Sequence, residues 1–281
     1  MVKRLARIGI AAVLSLYFGL FFLTSNSPLF QTYGGDSAIF VTLGRSLLSG
    51  KVPYVDIFDH KGPMIFFINA FPQLFSRTVT AVWVQEVVLF FLSMLLIARM
   101  ADRMGLRFAL PAQMVYLAFV GLCIDGGNYT EEYCNFFTLL GLATCVDYTF
   151  DSAPSAHWRH GLLLGLSFSL NLMTRLNNAL GVCALTLVFT CALGWRGDGK
   201  GLARNVLSFL AGCAIVCGPI LIYLGLNGAL DAFYYAAFEH NLLYAGVKDQ
   251  SRLHLLLETA YGERAALAAG LGVLGALAAA L

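Results

Sequence analysis

An all-α, polytopic membrane fold is what this sequence predicts, and three observations carry the prediction. Of its 281 residues 59% are hydrophobic and only 12% charged, with a mean hydropathy of +0.75, whereas charged residues form about 25% of a soluble domain. Apolar runs of membrane-crossing length recur along the chain. Acidic and basic residues fall into alternate connecting segments. The 18 Lys and Arg against 16 Asp and Glu leave a net charge of +2, too small a basic surplus for a nucleic-acid surface, so nucleic acid is set aside as a partner. The seven cysteines sit in or beside apolar runs without the paired spacing of a zinc site or disulfide framework and read as packing residues.

Eight spans are predicted, because unpaired backbone in hydrocarbon forces each apolar run into a helix: Ile8–Thr24, Val79–Ile97, Phe108–Ile124, Cys134–Phe150, Gly161–Thr174, Ala179–Trp195, Ala203–Leu226 and Ala265–Leu281. The first follows Lys3, Arg4 and Arg7 like a signal peptide, but no small-residue cleavage site comes after it, so it reads as a retained anchor. Met64–Phe75 is too short to cross about 30 Å of hydrocarbon and contains Asn69, Pro72 and Gln73, which suits a helix lying on the membrane surface. In Ser37–Leu48 the apolar residues Ile39, Phe40, Leu43, Leu47 and Leu48 have helical spacing and predict a second surface helix. With the N-terminus inside, ten cations fall on short inner segments (Lys3, Arg4, Arg7, Arg99, Arg103, Arg107, Arg159, Arg196, Lys200, Arg204), and eleven of the 16 carboxylates fall outside. The outer segments are then a long first loop at 25–78, a short acidic second loop at 125–133 and a third segment at 227–264, all within one transmembrane domain spanning 1–281. The chain ends within Ala265–Leu281 with no cation, polar tail or aromatic anchor closing that segment, which reads as a C-terminally truncated fragment.

The outer segments hold the candidate functional residues, each with a plain structural alternative. Asp36 opens the Ser37–Leu48 helix after Gly34 and Gly35, and is either an N-cap, a general base, or both. Asp59-His60-Lys61-Gly62-Pro63 puts an acid, an imidazole and an ammonium before Met64–Phe75; Lys61 is either a phosphate contact or a lysine snorkelling at a helix entrance. Asp125, Glu131 and Glu132 crowd the second loop, which is either a solvated acidic turn or a metal or acceptor site. Asn128-Tyr129-Thr130 is a formal glycosylation sequon. Arg175, at the outer end of the fifth span, can fork onto a phosphate or serve as an interfacial anchor. Glu239-His240 closes the aromatic run from Phe233 to Phe238, with His240 either structural or a ligand.

In this order the segments resemble the GT-C glycosyltransferases, in particular the bacterial group of lipid A aminoarabinose transferase and protein O-mannosyltransferases. The residues that carry the likeness are Asp36, Gly50-Lys51-Val52-Pro53, His60-Lys61-Gly62-Pro63, Glu131 or Glu132, Met173-Thr174-Arg175 and Phe238-Glu239-His240. The resemblance implies a GT-C-like bundle of about eight transmembrane helices, with surface helices in a long first outer loop. It further implies an inverting enzyme in the cell inner membrane that moves a sugar from a polyprenyl-phosphate carrier to a lipid, glycan or protein acceptor on the outer face. Asp36, Glu131 and Glu132 become catalytic candidates, Lys61 and Arg175 donor-phosphate ligands, and Asp59, His60, Glu239 and His240 metal-binding or supporting residues. A divalent metal is left open as a cofactor: Asp59-His60 stands where the group usually has Glu before its Lys, and Gly62 separates Lys61 from Pro63. The alternative class is a polytopic transporter or lipid flippase, which would carry ionisable groups near the midplane; only Glu86 and Asp147 lie clearly inside predicted spans, away from their ends.

Overall fold

The computed structural model describes residues 2–32, 34–106, 109–124, 126–151, 156–241 and 243. These residues are predominantly helical, without a strand; the only β pairing among them is an isolated bridge between Pro53 and Ile57. The helices are α1 (Val2–Phe21), α2 (Gly35–Leu48), α3 (Met64–Gln73), α4 (Val79–Arg103), α5 (Leu110–Cys123), α6 (Thr130–Thr149), α7 (Trp158–Thr174), α8 (Ala179–Trp195), α9 (Gly199–Leu226) and the short α10 (Leu230–Tyr234). A 3-10 turn, Leu176–Asn178, joins α7 to α8, and a π turn, Tyr235–Glu239, continues α10. Seven of the eight predicted spans fall on α1 and α4 to α9, while Ala265–Leu281 and most of the third segment lie outside the described residues.

Three helical stretches are long and apolar enough to cross a membrane, namely Val79–Arg103, Leu176–Trp195 and Gly199–Leu226. Their outward faces are apolar, with Leu180, Leu187 and Val188 on α8 and Leu207, Ile215 and Ile222 on α9 exposed, as a lipid-facing surface requires. By contrast α3 has 10 residues, about 15 Å at 1.5 Å per residue, and cannot span. It lies against α2 instead, and Gly44 makes that approach possible: a Cβ there would come within 2.5 Å of the Asn69 backbone.

Small residues also bring α7 and α9 into backbone contact. A Cβ at Gly165 would lie 2.2 Å from the Phe209 carbonyl oxygen, and one at Gly212 would lie 2.5 Å from that of Leu162. Between helices in lipid, such close approach replaces the hydrophobic effect as the source of attraction. Helix α1 is held to α4 where Trp83 Nε1 donates to the Gly19 carbonyl at 2.7 Å.

The bundle has two chemically different ends. At one, Arg7 pairs with Asp102, while Arg99 and Arg103 converge on Asp147 at 2.5 and 3.1 Å. Asp147 therefore belongs to the last turn of α6 and its ion pairs, not to the interior of a span. At the other, a core of Phe40, Leu43, Tyr54, Ile65, Phe66, Tyr133, Met173 and Phe233 seals α2 and α3 onto α6, α7, α9 and α10. Every sequence-predicted site residue that the structure describes is carried at this second end.

Candidate active site

The first loop reaches the site through a sharply folded segment. Gly50, at φ +80°, lets the chain turn off α2 while its N–H and that of Lys51 bond the last α2 carbonyls, Leu47 and Ser46. Val52 N–H donates to Asp56 Oδ2 at 2.7 Å, Asp56 N–H donates to the Val52 carbonyl, and Tyr54 N–H donates to that of Ile57, which closes the turn. Buried Tyr54 then donates its hydroxyl to the Lys61 carbonyl at 2.8 Å and so anchors the Asp59-His60-Lys61 corner.

This corner docks on the C-terminus of α7, where unpaired carbonyls await donors. Gly62 N–H donates to the Thr174 carbonyl at 3.0 Å. Arg175 leaves the helix in extended conformation, φ −158°, so its side chain emerges beside Lys61. His60, Lys61, Gly62, Met173, Arg175 and Asn241 share the wall of a cavity of about 300 Å³ whose remaining lining is largely apolar, Phe233 and Phe238 included. Two cations distant in sequence thus meet at one cavity, at a helix end whose dipole favours positive charge.

The charges interact. Arg175 forms an ion pair with Glu131 in the first turn of α6, and Thr130 Oγ1 supports both, donating to Glu131 at 2.8 Å and accepting from Arg175 at 3.4 Å. Lys61 Nζ lies 2.7 Å from His60 Nε2; since an ammonium only donates, Nε2 is the acceptor and the imidazole proton sits on Nδ1. Burial, and then the nearby Arg175, hold Lys61 below the ordinary lysine range, against the opposite pull of Asp59 and Asp36. Burial, then Lys61, likewise lowers His60.

Asp36 is half-buried in the first turn of α2, close enough for its charge to be felt at Lys61. Of the roles left open by the sequence, it does not take that of N-cap. The helix starts two residues earlier, at Gly35; Gly34 occupies the cap without a side-chain bond, and the Asp36 carboxylate is spared that role. Glu131 and Glu132 part company, because neighbours on a helix point about 100° apart. Glu131 faces Arg175, whereas Glu132 is 6% exposed and turns inward beside Glu86, with which it shares the Asn128 N–H. Glu239 is exposed, while His240 packs against Phe58 and the His60 ring, 5.4 and 5.9 Å between centroids.

These residues fit a metal poorly. Asp59 Oδ1 is taken by Lys61 N–H at 2.7 Å, and the Lys61 ammonium already stands at the Nε2 lone pair of His60. Among the described residues no group of three or more His, Cys, Asp or Glu is placed to hold a metal ion.

Several contributors carry little signal in the sequence. Asn241 Nδ2 donates to the His60 carbonyl at 2.9 Å and ties the π turn to the corner. Gly62 is the only residue that fits, since any Cβ would meet Met173 backbone at 2.1 Å. Asn128 is 0% exposed, so the sequon it opens is sealed inside the fold and offers no glycosylation acceptor. Compared with known protein families, curated proteins and solved structures, the chain matches none.

Proposed function

We infer that this protein is an inverting membrane glycosyltransferase of the GT-C type that takes a sugar from a polyprenyl-phosphate donor. The observation that supports the reading most strongly is the convergence of Lys61 and Arg175 on one largely apolar cavity, with Asp36 within electrostatic reach. A lipid phosphate needs this combination of paired cations for the head and apolar walls for the chain.

In the proposed reaction the acceptor hydroxyl attacks the anomeric carbon while Asp36 takes its proton. The bond from that carbon to the phosphate oxygen breaks with its electron pair, and the configuration inverts. Lys61 and Arg175 hold the leaving phosphate and stabilise the charge it gains; Glu131 keeps the Arg175 fork aimed at it. The basic end of the bundle is then cytoplasmic and the site faces outward in the inner membrane, with the remaining apolar helices completing an eight-span bundle around the site. A transporter or flippase would draw on Glu86, but the space beside it is about 10 Å³, enough for one water and no substrate.

The test is Asp36→Asn, assayed with short-chain polyprenyl-phosphate sugars. The amide keeps the shape but accepts no proton, so transfer falls by about a hundredfold or more while donor binding persists. Near-normal turnover in the variant refutes the assignment.

A further inference from the structure

Beneath the candidate site, Glu86 of α4 and Glu132 of α6 meet inside the protein, 1% and 6% exposed. Their carboxylates adjoin, and both accept the backbone N–H of Asn128, at 3.0 Å in the case of Glu132. Among the described residues, the groups that face them from the surrounding elements are Asn26 after α1, Tyr116 and Ser93 from α5 and α4, and Tyr133 with the Tyr129 amide from α6 and its approach. None is a cation, and the ion pairs among the described residues leave both carboxylates out. Two carboxylates in contact without a counter-charge do not both ionise.

Donor counting tells them apart. Each Glu86 oxygen has a donor, Asn26 Nδ2 at 3.2 Å on Oε2 and Asn128 N–H on Oε1, whereas Glu132 Oε1 is buried with no partner. A proton on Glu132 resolves that deficit by turning the carboxyl into a donor to Glu86.

Around the pair the second loop is drawn in tightly. Asn128 takes a left-handed conformation, φ +61°, and Gly127 passes so close that a Cβ would lie 2.8 Å from Glu86 Oε1. From there Asn128 Nδ2 donates to Asn69 Oδ1 at 2.9 Å and to Ser37 Oγ at 3.2 Å, and Asn26 Nδ2 reaches the same Oγ at 3.0 Å. Ser37 is 2% exposed and follows Asp36 directly.

We propose that Glu86 and Glu132 hold one proton between them, and that this shared proton latches the second loop onto α4 and so positions Asp36 through Asn128 and Ser37. Only the last step, from Ser37 to a catalytic Asp36, rests on the glycosyltransferase reading. Loss of the proton leaves two adjoining anions that share the Asn128 N–H with no cation beside them among the described residues, and the loop releases.

Infrared spectroscopy of the wild-type protein in lipid nanodiscs over a pH series tests the proton itself. A protonated-carboxyl C=O band, shifted in D2O, is expected at neutral pH, to be lost on alkalinisation and missing in Glu132→Gln. Hydrogen exchange of the segment around Asn128, corrected for the intrinsic rate, tests the latch. In the wild type it accelerates about tenfold as the band disappears, roughly the effect of losing one hydrogen bond. In Glu132→Gln, whose amide mimics the protonated carboxyl, it stays slow, whereas Glu86→Gln, which replaces the acceptor, exchanges fast at every pH. Absence of the band in the neutral wild type, or equal acceleration in the wild type and Glu132→Gln, overturns the proposal. Both readouts are independent of turnover, so a failed Asp36→Asn test removes the enzyme reading and leaves the shared proton standing, and the converse also holds.

Discussion

Gly62→Ala should disable the site while leaving the fold largely intact. The added methyl meets only backbone, the carbonyl oxygen of Met173 at 2.1 Å, its carbonyl carbon at 2.5 Å and that of Thr174 at 3.1 Å. Ordinary contact begins at 3.4 Å, so the corner carrying Lys61 and the end of α7 carrying Arg175 have to part by about 1.3 Å. Backbone cannot rotate out of the way as a side chain does. The separation breaks the Gly62 to Thr174 hydrogen bond, a net loss of about 1 kcal/mol. It also moves the two cations apart by about the displacement that costs a catalytic site 100-fold, roughly 2.7 kcal/mol of barrier. The assay is a donor titration with a short-chain polyprenyl-phosphate sugar, alongside thermal unfolding in detergent. Expected are a fall in kcat/KM of about 100-fold and a small drop in Tm. Gly181→Ala is the control, since a Cβ there meets nothing within 4 Å and alanine favours the helix. A folded Gly62→Ala protein with wild-type kcat/KM refutes the idea that the two cations must be held together.

Two further outcomes follow from the same geometry. Because burial and Arg175 hold Lys61 below the ordinary lysine range, donor affinity is present at lower pH and is lost as pH rises through that lowered value, earlier than for a solvent-exposed lysine. Lys61→Arg moves this alkaline limb upward in a donor-binding titration, since guanidinium does not deprotonate there; an unmoved limb assigns it to another group. Gly165→Leu should destabilise the bundle by about 3 kcal/mol through forced separation of α7 and α9, and an unchanged Tm in detergent would contradict the backbone contact at Phe209.

Much of this architecture is legible in the pattern of apolar residues, since spans and surface helices are set by run length and period. The 12-residue run at Met64–Phe75, with its Asn, Pro and Gln, reads as a helix that does not cross, and α3, with 10 residues, is too short to span. Segment order also brings forward Lys61 and Arg175, which the fold then places on one cavity wall. What stays hidden depends on where side chains point. Glu131 and Glu132 are chemically identical neighbours, and only the rotation of α6 sends one to Arg175 and the other to Glu86. Asn128 looks like a surface sequon because the pattern carries no information on burial. Asp36 looks like a cap because a helix start is read from sequence only to within a residue or two. Gly62 looks like an interruption between Lys61 and Pro63 until the α7 backbone is seen against it.

The central claim is that the cavity beneath Lys61 and Arg175 binds a lipid phosphate, and the lipid that accompanies the protein tests it most directly. Mass spectrometry of gently purified protein should detect polyprenyl phosphate or its sugar conjugate with the wild type. The signal should be lost in a Lys61→Ala/Arg175→Ala double variant, which removes both cations from the wall. Bulk phospholipid alone, in equal amount with both proteins, would contradict the account.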